Sequence, residues 1–385
     1  MVSQAETDQK QVYNKARNGI KLLMTAGPVE VSPRVLSALA QPSIYHYYGG
    51  FIELFEDTVK KMSSVFKAHD QDTLILQGEG VLGLEAAVMC TTNPGDKVLV
   101  FENGPFGKWF GDYVRNAGAK PLYFHEETDR CFEPSKAMEF LEANSDAKAV
   151  TMVHCETPAG LLNPLREICK KAKSLGMLTI VDCVASLAGA EFEPSEWGID
   201  ISIGASQKCL GSTAGLTPMS ISAFAWDVME KRKKQPIKTS YLSLLDWKES
   251  WIDSKRFPFT PFTSEVYALN AALDEILEEG LENVLRRHTE ISKICRGRAR
   301  EMGLKTWPIE DAFCSPTVTA LRLPENVDDS KLIQEIVSKY GILIGGGYRE
   351  LKGKVLRIGH MGYQAQKLFV SATMDALEDA LHSHG

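Results

Sequence analysis

A carboxylate and a lysine that both end apolar runs, 26 residues apart, give the first chemical signal in this chain. The carboxylate is Asp182, at the end of Leu178-Thr-Ile-Val-Asp182-Cys-Val-Ala-Ser. The lysine is Lys208, in Asp200-Ile-Ser-Ile-Gly-Ala-Ser206-Gln207-Lys208-Cys209-Leu-Gly211. Each alone has a plain reading, the aspartate as a helix cap and the lysine as a solvated loop residue. Together they suit an electron-sink ring of the vitamin-B6 type. A carboxylate against the pyridine nitrogen keeps that nitrogen protonated. A lysine at the other end forms a Schiff base with the ring aldehyde and later moves a proton. Buried strand ends would hold both groups rigidly.

With these flanks the chain resembles the class V, fold-type-I pyridoxal-dependent aminotransferases, in the alanine–glyoxylate aminotransferase group. The resemblance runs from Thr25-Ala26-Gly27-Pro28 to Arg357-Ile-Gly-His-Met-Gly362. It implies that Lys208 is the Schiff-base lysine, with Gln207 beside it at the ring, and that Asp182 is the partner of the ring nitrogen. It implies that Phe106, in Asn103-Gly-Pro-Phe106-Gly107, stacks on the ring, where core packing is the plain alternative. Thr157, in His154-Cys-Glu156-Thr157-Pro158-Ala-Gly160, matches the loop near the ring hydroxyl, and Pro158 replaces a hydroxyl residue of many relatives. Arg357 matches the arginine that grips a substrate carboxylate, for which a guanidinium fork is suited. Arg349, in Gly347-Tyr348-Arg349-Glu350, is a second substrate-side candidate or else a solvated loop residue. Ala26 and Gly27 are expected beside the substrate. Tyr45, His46 and Tyr47 lie in a loop that in the family approaches the substrate, and they carry no assigned role.

The phosphate region departs from the family. Gly78-Glu79-Gly80-Val81-Leu82-Gly83 follows a strand and opens a helix, the usual geometry for an anion. Glu79, Gly80 and Val81 are therefore expected at the ring. Relatives place a hydroxyl residue where Glu79 stands. A carboxylate only accepts hydrogen bonds and repels an anion. Two such charges about 4 Å apart repel by roughly 4 kcal/mol at an effective dielectric of about 20. In Phe257-Pro258-Phe259-Thr260-Pro261, Phe257 stands where relatives have a phosphate-binding tyrosine, in a segment the family places across its dimer interface. Both changes point to a site that accepts the unphosphorylated ring. The resemblance, carried here by the loop from Gly78 to Ala87, by Phe257-Pro-Phe-Thr-Pro261 and by Arg357-Ile-Gly-His-Met-Gly362, implies that the ring is handled as substrate: pyridoxamine gives its amine to pyruvate, and pyridoxal and L-alanine leave. The alternatives are that Glu79 merely caps its helix and that the enzyme retains pyridoxal 5'-phosphate, as alanine–glyoxylate or serine–glyoxylate transaminases do.

The elements that must hold these groups follow from periodicity. Short apolar runs at Thr73–Leu76, Lys97–Phe101, Lys120–Phe124, Ala147–His154, Leu178–Asp182, Ile199–Gly204 and Met219–Phe224 read as strands. Amphipathic stretches such as Gly83–Met89 and Leu165–Ser174 lie between them. That alternation predicts an α/β domain with a large, mostly parallel sheet. A helical stretch from Ser264 to Met302, broken near Gly280, leads to strands at Thr317–Leu323, Ile342–Ile344 and Val355–Ile358 and helices at Asp329–Tyr340 and Ala365–His382. These form a smaller C-terminal α+β domain. The expected division is an N-terminal segment at 1–20, a large domain at 21–275 and a small domain at 276–385.

Bulk properties exclude other classes. The net charge of −7 argues against a nucleic-acid partner and gives no polybasic signal for a membrane. No apolar run is long enough for a signal peptide or a membrane span, so a cytoplasmic protein is expected. The eight cysteines are scattered singly, with no CxxC and no zinc spacing, so no metal is expected. Cys209 is the one thiol whose neighbour suggests reactivity, and burial is its plain reading. Cys314 is the only candidate for a sulfur-removing lyase of the same fold, and it reads better as the start of a strand. The family resemblance further implies a homodimer or a dimer-based oligomer.

Overall fold

The computed structural model describes residues 17–232 and 236–384. Most of the expected segment 1–20 lies outside the described residues. Seven strands form the main sheet: β2 (Asp72–Gln77), β3 (Lys97–Glu102), β4 (Lys120–His125), β5 (Ala149–Val153), β8 (Leu178–Asp182), β9 (Ile201–Ile203) and β10 (Leu216–Ile221), in the spatial order β2-β10-β9-β8-β5-β3-β4. Strands β4, β3, β5, β8 and β9 pair in parallel, and β10 runs antiparallel to both of its neighbours. Strand β2 therefore points the same way as the parallel set. Helices cover both faces. This is why β5 and β8 are buried at every residue and read as unbroken apolar runs. The helix Gly80–Thr91 lies close against the sheet because Gly83 has no side chain. A Cβ there would sit 2.5 Å from Thr217 Cγ2.

The expected strand at Met219–Phe224 is shifted, since the strand ends at Ile221. Ser222 Oγ accepts the Ala225 N–H at 3.1 Å and starts the helix Ala223–Glu230. A serine N-cap outweighs the apolar run that follows it. The long C-terminal stretch is two helices, Thr263–Glu279 and Leu281–Glu301, broken at Gly280 with φ +84°.

A second sheet has the order β1-β12-β13-β11, from β1 (Leu22–Met24), β11 (Val318–Arg322), β12 (Ile342–Gly346) and β13 (Val355–Gly359). Strand β1, in the range set for the large domain, pairs in parallel with Ile342–Ile344. Its Met24 packs in an apolar cluster whose other members lie between Ile291 and Ala380. Three residues are too few to show strand alternation, so this strand had no sequence signal. The larger core extends from Phe51 to Val284. No helix among the described residues is long and apolar enough to cross a membrane.

Candidate active site

Because β2, β3, β5, β8 and β9 share one direction, the chain leaves all five at the same edge of the sheet. Glu79 follows β2, and Phe106 follows β3 on the helix Pro105–Asn116. Thr157 follows β5 in the turn between the short strands β6 (Cys155–Glu156) and β7 (Leu161–Leu162). Asp182 ends β8 in register with both Val153 and Ile203, and Lys208 follows β9. Such an edge is where open α/β sheets bind ligands. Here it encloses a cavity of about 280 Å³ bounded by Glu79, Val81, Phe106, Thr157, Asp182, Gln207 and Lys208, with Gly27 at one side. Ala26 contributes its carbonyl, which accepts from Lys208 Nζ at 2.5 Å. Gly27 lets the lysine pass, since a Cβ there would stand 2.4 Å from Nζ. Gly80 does not line the cavity. It is the first residue of its helix and lies against Val184, whose Cγ2 would be 2.6 Å from an added Cβ.

Asp182 is buried, and its Oδ1 accepts the Val184 N–H at 2.8 Å. Burial pushes its carboxyl up to about 7, opposed by that N–H and by Lys208. Burial likewise pushes the Lys208 ammonium down, and Arg357 adds repulsion. A protonated pyridine nitrogen beside Asp182 would favour the carboxylate there, and the same positive charge would favour Lys208 as free amine. The buried Gln207 Oε1 has no hydrogen-bond partner among the described residues and adds an acceptor for a polar ligand. The carboxylate, the amine and the apolar wall of Phe106 are compatible with a pyridoxal ring, which Asp182, Lys208 and Phe106 would hold.

A raised carboxylate has a defined pH signature. Between about 4 and about 7 the folded protein holds the Asp182 proton and the unfolded chain does not. The contribution of Asp182 to stability therefore falls as pH rises through that window and is level above it. We expect the melting temperature of ring-free protein, relative to that of Asp182→Asn, to fall between pH 5 and pH 7. Calorimetry of both proteins across that range checks this, and a constant difference would refute it.

Arg357 stands on β13, largely buried, with Nε donating to the Gly346 carbonyl at 2.8 Å. It pairs with no carboxylate among the described residues, and burial depresses its pKa. It does not line the cavity itself but is close enough to Lys208 to act on its charge. Arg349 is different. It is exposed, and its guanidinium lies over the rings of Tyr348 (5.6 Å) and Trp109 (5.7 Å). These aromatics back Phe106: Trp109 meets its ring edge-on at 5.1 Å, and Tyr348 lies nearly parallel at 6.4 Å. Trp109 and Tyr348 carry no sequence signal beyond their aromatic type. Pro28, Cys155, Val184 and Ala185 also line the cavity, each inside a motif that holds a candidate residue.

Glu79 occupies the N-cap position of its helix, yet its side chain makes no capping bond. It stands exposed at the cavity mouth and accepts from Gln207 Nε2 at 3.3 Å. Phe257 lies outside the cavity. It is buried in the core of its own chain, edge-on to Phe55 at 5.0 Å and stacked on Trp251 at 5.2 Å. The Tyr45-His46-Tyr47 rings pack on one another, with both tyrosines exposed, and none lines the cavity. Cys209 is buried, its thiol against the Ala185 carbonyl and its pKa pushed up. Cys314 lies away from the cavity and bridges to Leu161.

The family Aminotransferase class-V matches residues 34–361. The chain is 36% identical over 364 residues to a pyridoxamine–pyruvate transaminase of Mesorhizobium japonicum, covering 94% of this chain and 92% of the relative. An alanine–glyoxylate aminotransferase of Drosophila melanogaster is 31% identical, with 94% and 93% covered. The crystal structure of pyridoxamine–pyruvate aminotransferase from Mesorhizobium loti superposes with a TM-score of 0.92 at 36% identity, covering 95% of this chain and 93% of that one.

Proposed function

Because the chain belongs to the class-V aminotransferases and has their fold-type-I architecture, we propose that it moves the amino group of pyridoxamine to pyruvate, giving pyridoxal and L-alanine. The observation that carries this reading is the Glu79 carboxylate at the cavity mouth. It is held by Gln207 and not used as a helix cap, so it can accept from a free 5'-hydroxyl. A phosphate there would meet a like charge.

The ring, when bound, spreads the electron pair left by a broken C–H bond. The remaining work falls to the protein. Asp182 holds a proton on the ring nitrogen. Phe106 covers one ring face and excludes water. Arg357 orients the carboxylate of the keto acid. Once the amine of pyridoxamine has condensed with the keto carbon of pyruvate and released water, Lys208, favoured as free amine by burial and by Arg357, takes the proton from C4' and returns it to Cα of the bound amino acid. It then bonds to C4' in place of the departing alanine, and water releases pyridoxal.

The likeness to alanine–glyoxylate enzymes supports a second reading, in which pyridoxal 5'-phosphate stays bound and a keto acid such as glyoxylate accepts the amine. Titrating ring-free protein with each vitamer separates the two. We expect the Schiff-base absorption to saturate at lower pyridoxal than pyridoxal phosphate concentration. Tighter binding of the phosphate would move the assignment to the second reading.

A further inference from the structure

Glu156 is fully buried, yet no step above uses it. It ends β6, immediately before Thr157, and its carboxylate points across to the start of the helix Pro105–Asn116. Oε1 accepts the Phe106 N–H at 3.3 Å, and Oε2 accepts the Gly107 N–H at 3.2 Å. This helix lacks a side-chain cap of its own, because Gly104 holds the N-cap position and Pro105 has no N–H. The first free donors of the helix are thus satisfied from another element. The fit is close: a Cβ on Gly104 would stand 2.4 Å from Glu156 Cγ, so only glycine lets the carboxylate in. Phe106 and Thr157 both line the cavity, and Glu156 ties the backbone of one to the neighbour of the other.

We infer that Glu156 is a positioning residue that sets the gap between Phe106 and Thr157, and through it the affinity for the B6 ring. The inference rests on the reading that the ring lies against Phe106. Burial pushes the Glu156 carboxyl up to about 8 against the pull of the two N–H groups, and above that pH, where the affinities are to be compared, it is a carboxylate that serves both donors at once. Glutamine offers one acceptor and turns its own NH2 toward the second N–H, leaving two donors face to face.

The test is a double-mutant cycle on pyridoxal affinity, followed by Schiff-base absorption of ring-free protein. Glu156→Gln is expected to weaken pyridoxal about tenfold, while the KM for pyruvate at saturating pyridoxamine stays within about twofold. In a Phe106→Ala background the same substitution should add less than about twofold, because the ring it positions is gone. Gly104→Ala, which displaces the carboxylate without altering it, should weaken pyridoxal similarly and serves if Glu156→Gln does not fold. Full additivity of Glu156→Gln and Phe106→Ala, or unchanged affinity in both Glu156→Gln and Gly104→Ala, would overturn this inference alone. Failure of the unmodified protein to bind either vitamer would overturn the functional reading and this inference with it.

Discussion

Lys208→Ala is expected to lower the transamination rate by more than about a thousandfold and to remove the Schiff-base absorption altogether. The lysine has two tasks, bonding to the ring carbon and moving the proton, and among the described residues that line the cavity no other is an amine. Among the described residues its Nζ donates to the Ala26 carbonyl alone, so its loss breaks one hydrogen bond there. The backbone bond from the Gly211 N–H to the Lys208 carbonyl, at 2.9 Å, is independent of the side chain. The variant should therefore fold, and removing a buried amine should not lower its melting temperature. Pyridoxal should still bind without a covalent bond, between Phe106 and Asp182. Rate assays with absorption spectra check both parts. Retention of more than a tenth of the activity would end the proposed mechanism.

Glu79→Ser should shift vitamer preference toward the phosphate. The size of the shift depends on how well water screens Glu79. At about 4 Å, like charges repel by roughly 1 kcal/mol in water and roughly 4 kcal/mol at an effective dielectric of about 20. These bounds correspond to about fivefold and about a thousandfold in affinity. Glu79 is exposed, so the gain should fall toward the lower end, about five- to fiftyfold for pyridoxal phosphate. Pyridoxal itself should weaken slightly, since serine is a poorer acceptor than a carboxylate. Parallel titrations of both vitamers give the ratio. An unchanged ratio would mean that Glu79 is no selector.

Much of this architecture is legible in the chain. Leu178–Asp182 and Leu165–Ser174 were bounded correctly because each is a local pattern, an apolar run in one and a helical stripe in the other. The break at Gly280 was visible because one residue type favours positive φ. Strand β1 was not visible, because its partner Ile342 lies at the far end of the sequence and three residues carry no periodicity. The start of the helix after β10 is hidden in the sequence because the apolar run continues past the Ser222 cap.

The sequence by itself determined the chemical inventory: a carboxylate and an amine at strand ends, an aromatic at a helix start and an acid at the start of another. Those are properties of residue type and of neighbours along the chain. The tertiary structure decided what each group faces. It buried Asp182 and Lys208 together, so that each is pushed toward its neutral form. It left Arg349 outside on Trp109 and Tyr348 while enclosing Arg357, although only a few residues separate the two arginines. It packed Phe257 into the core of its own chain, against Phe55 and Trp251. It also brought Glu156 to the helix that carries Phe106, a contact no spacing could announce. Desolvation and the meeting of distant segments depend on packing in three dimensions, which residue order constrains but does not display.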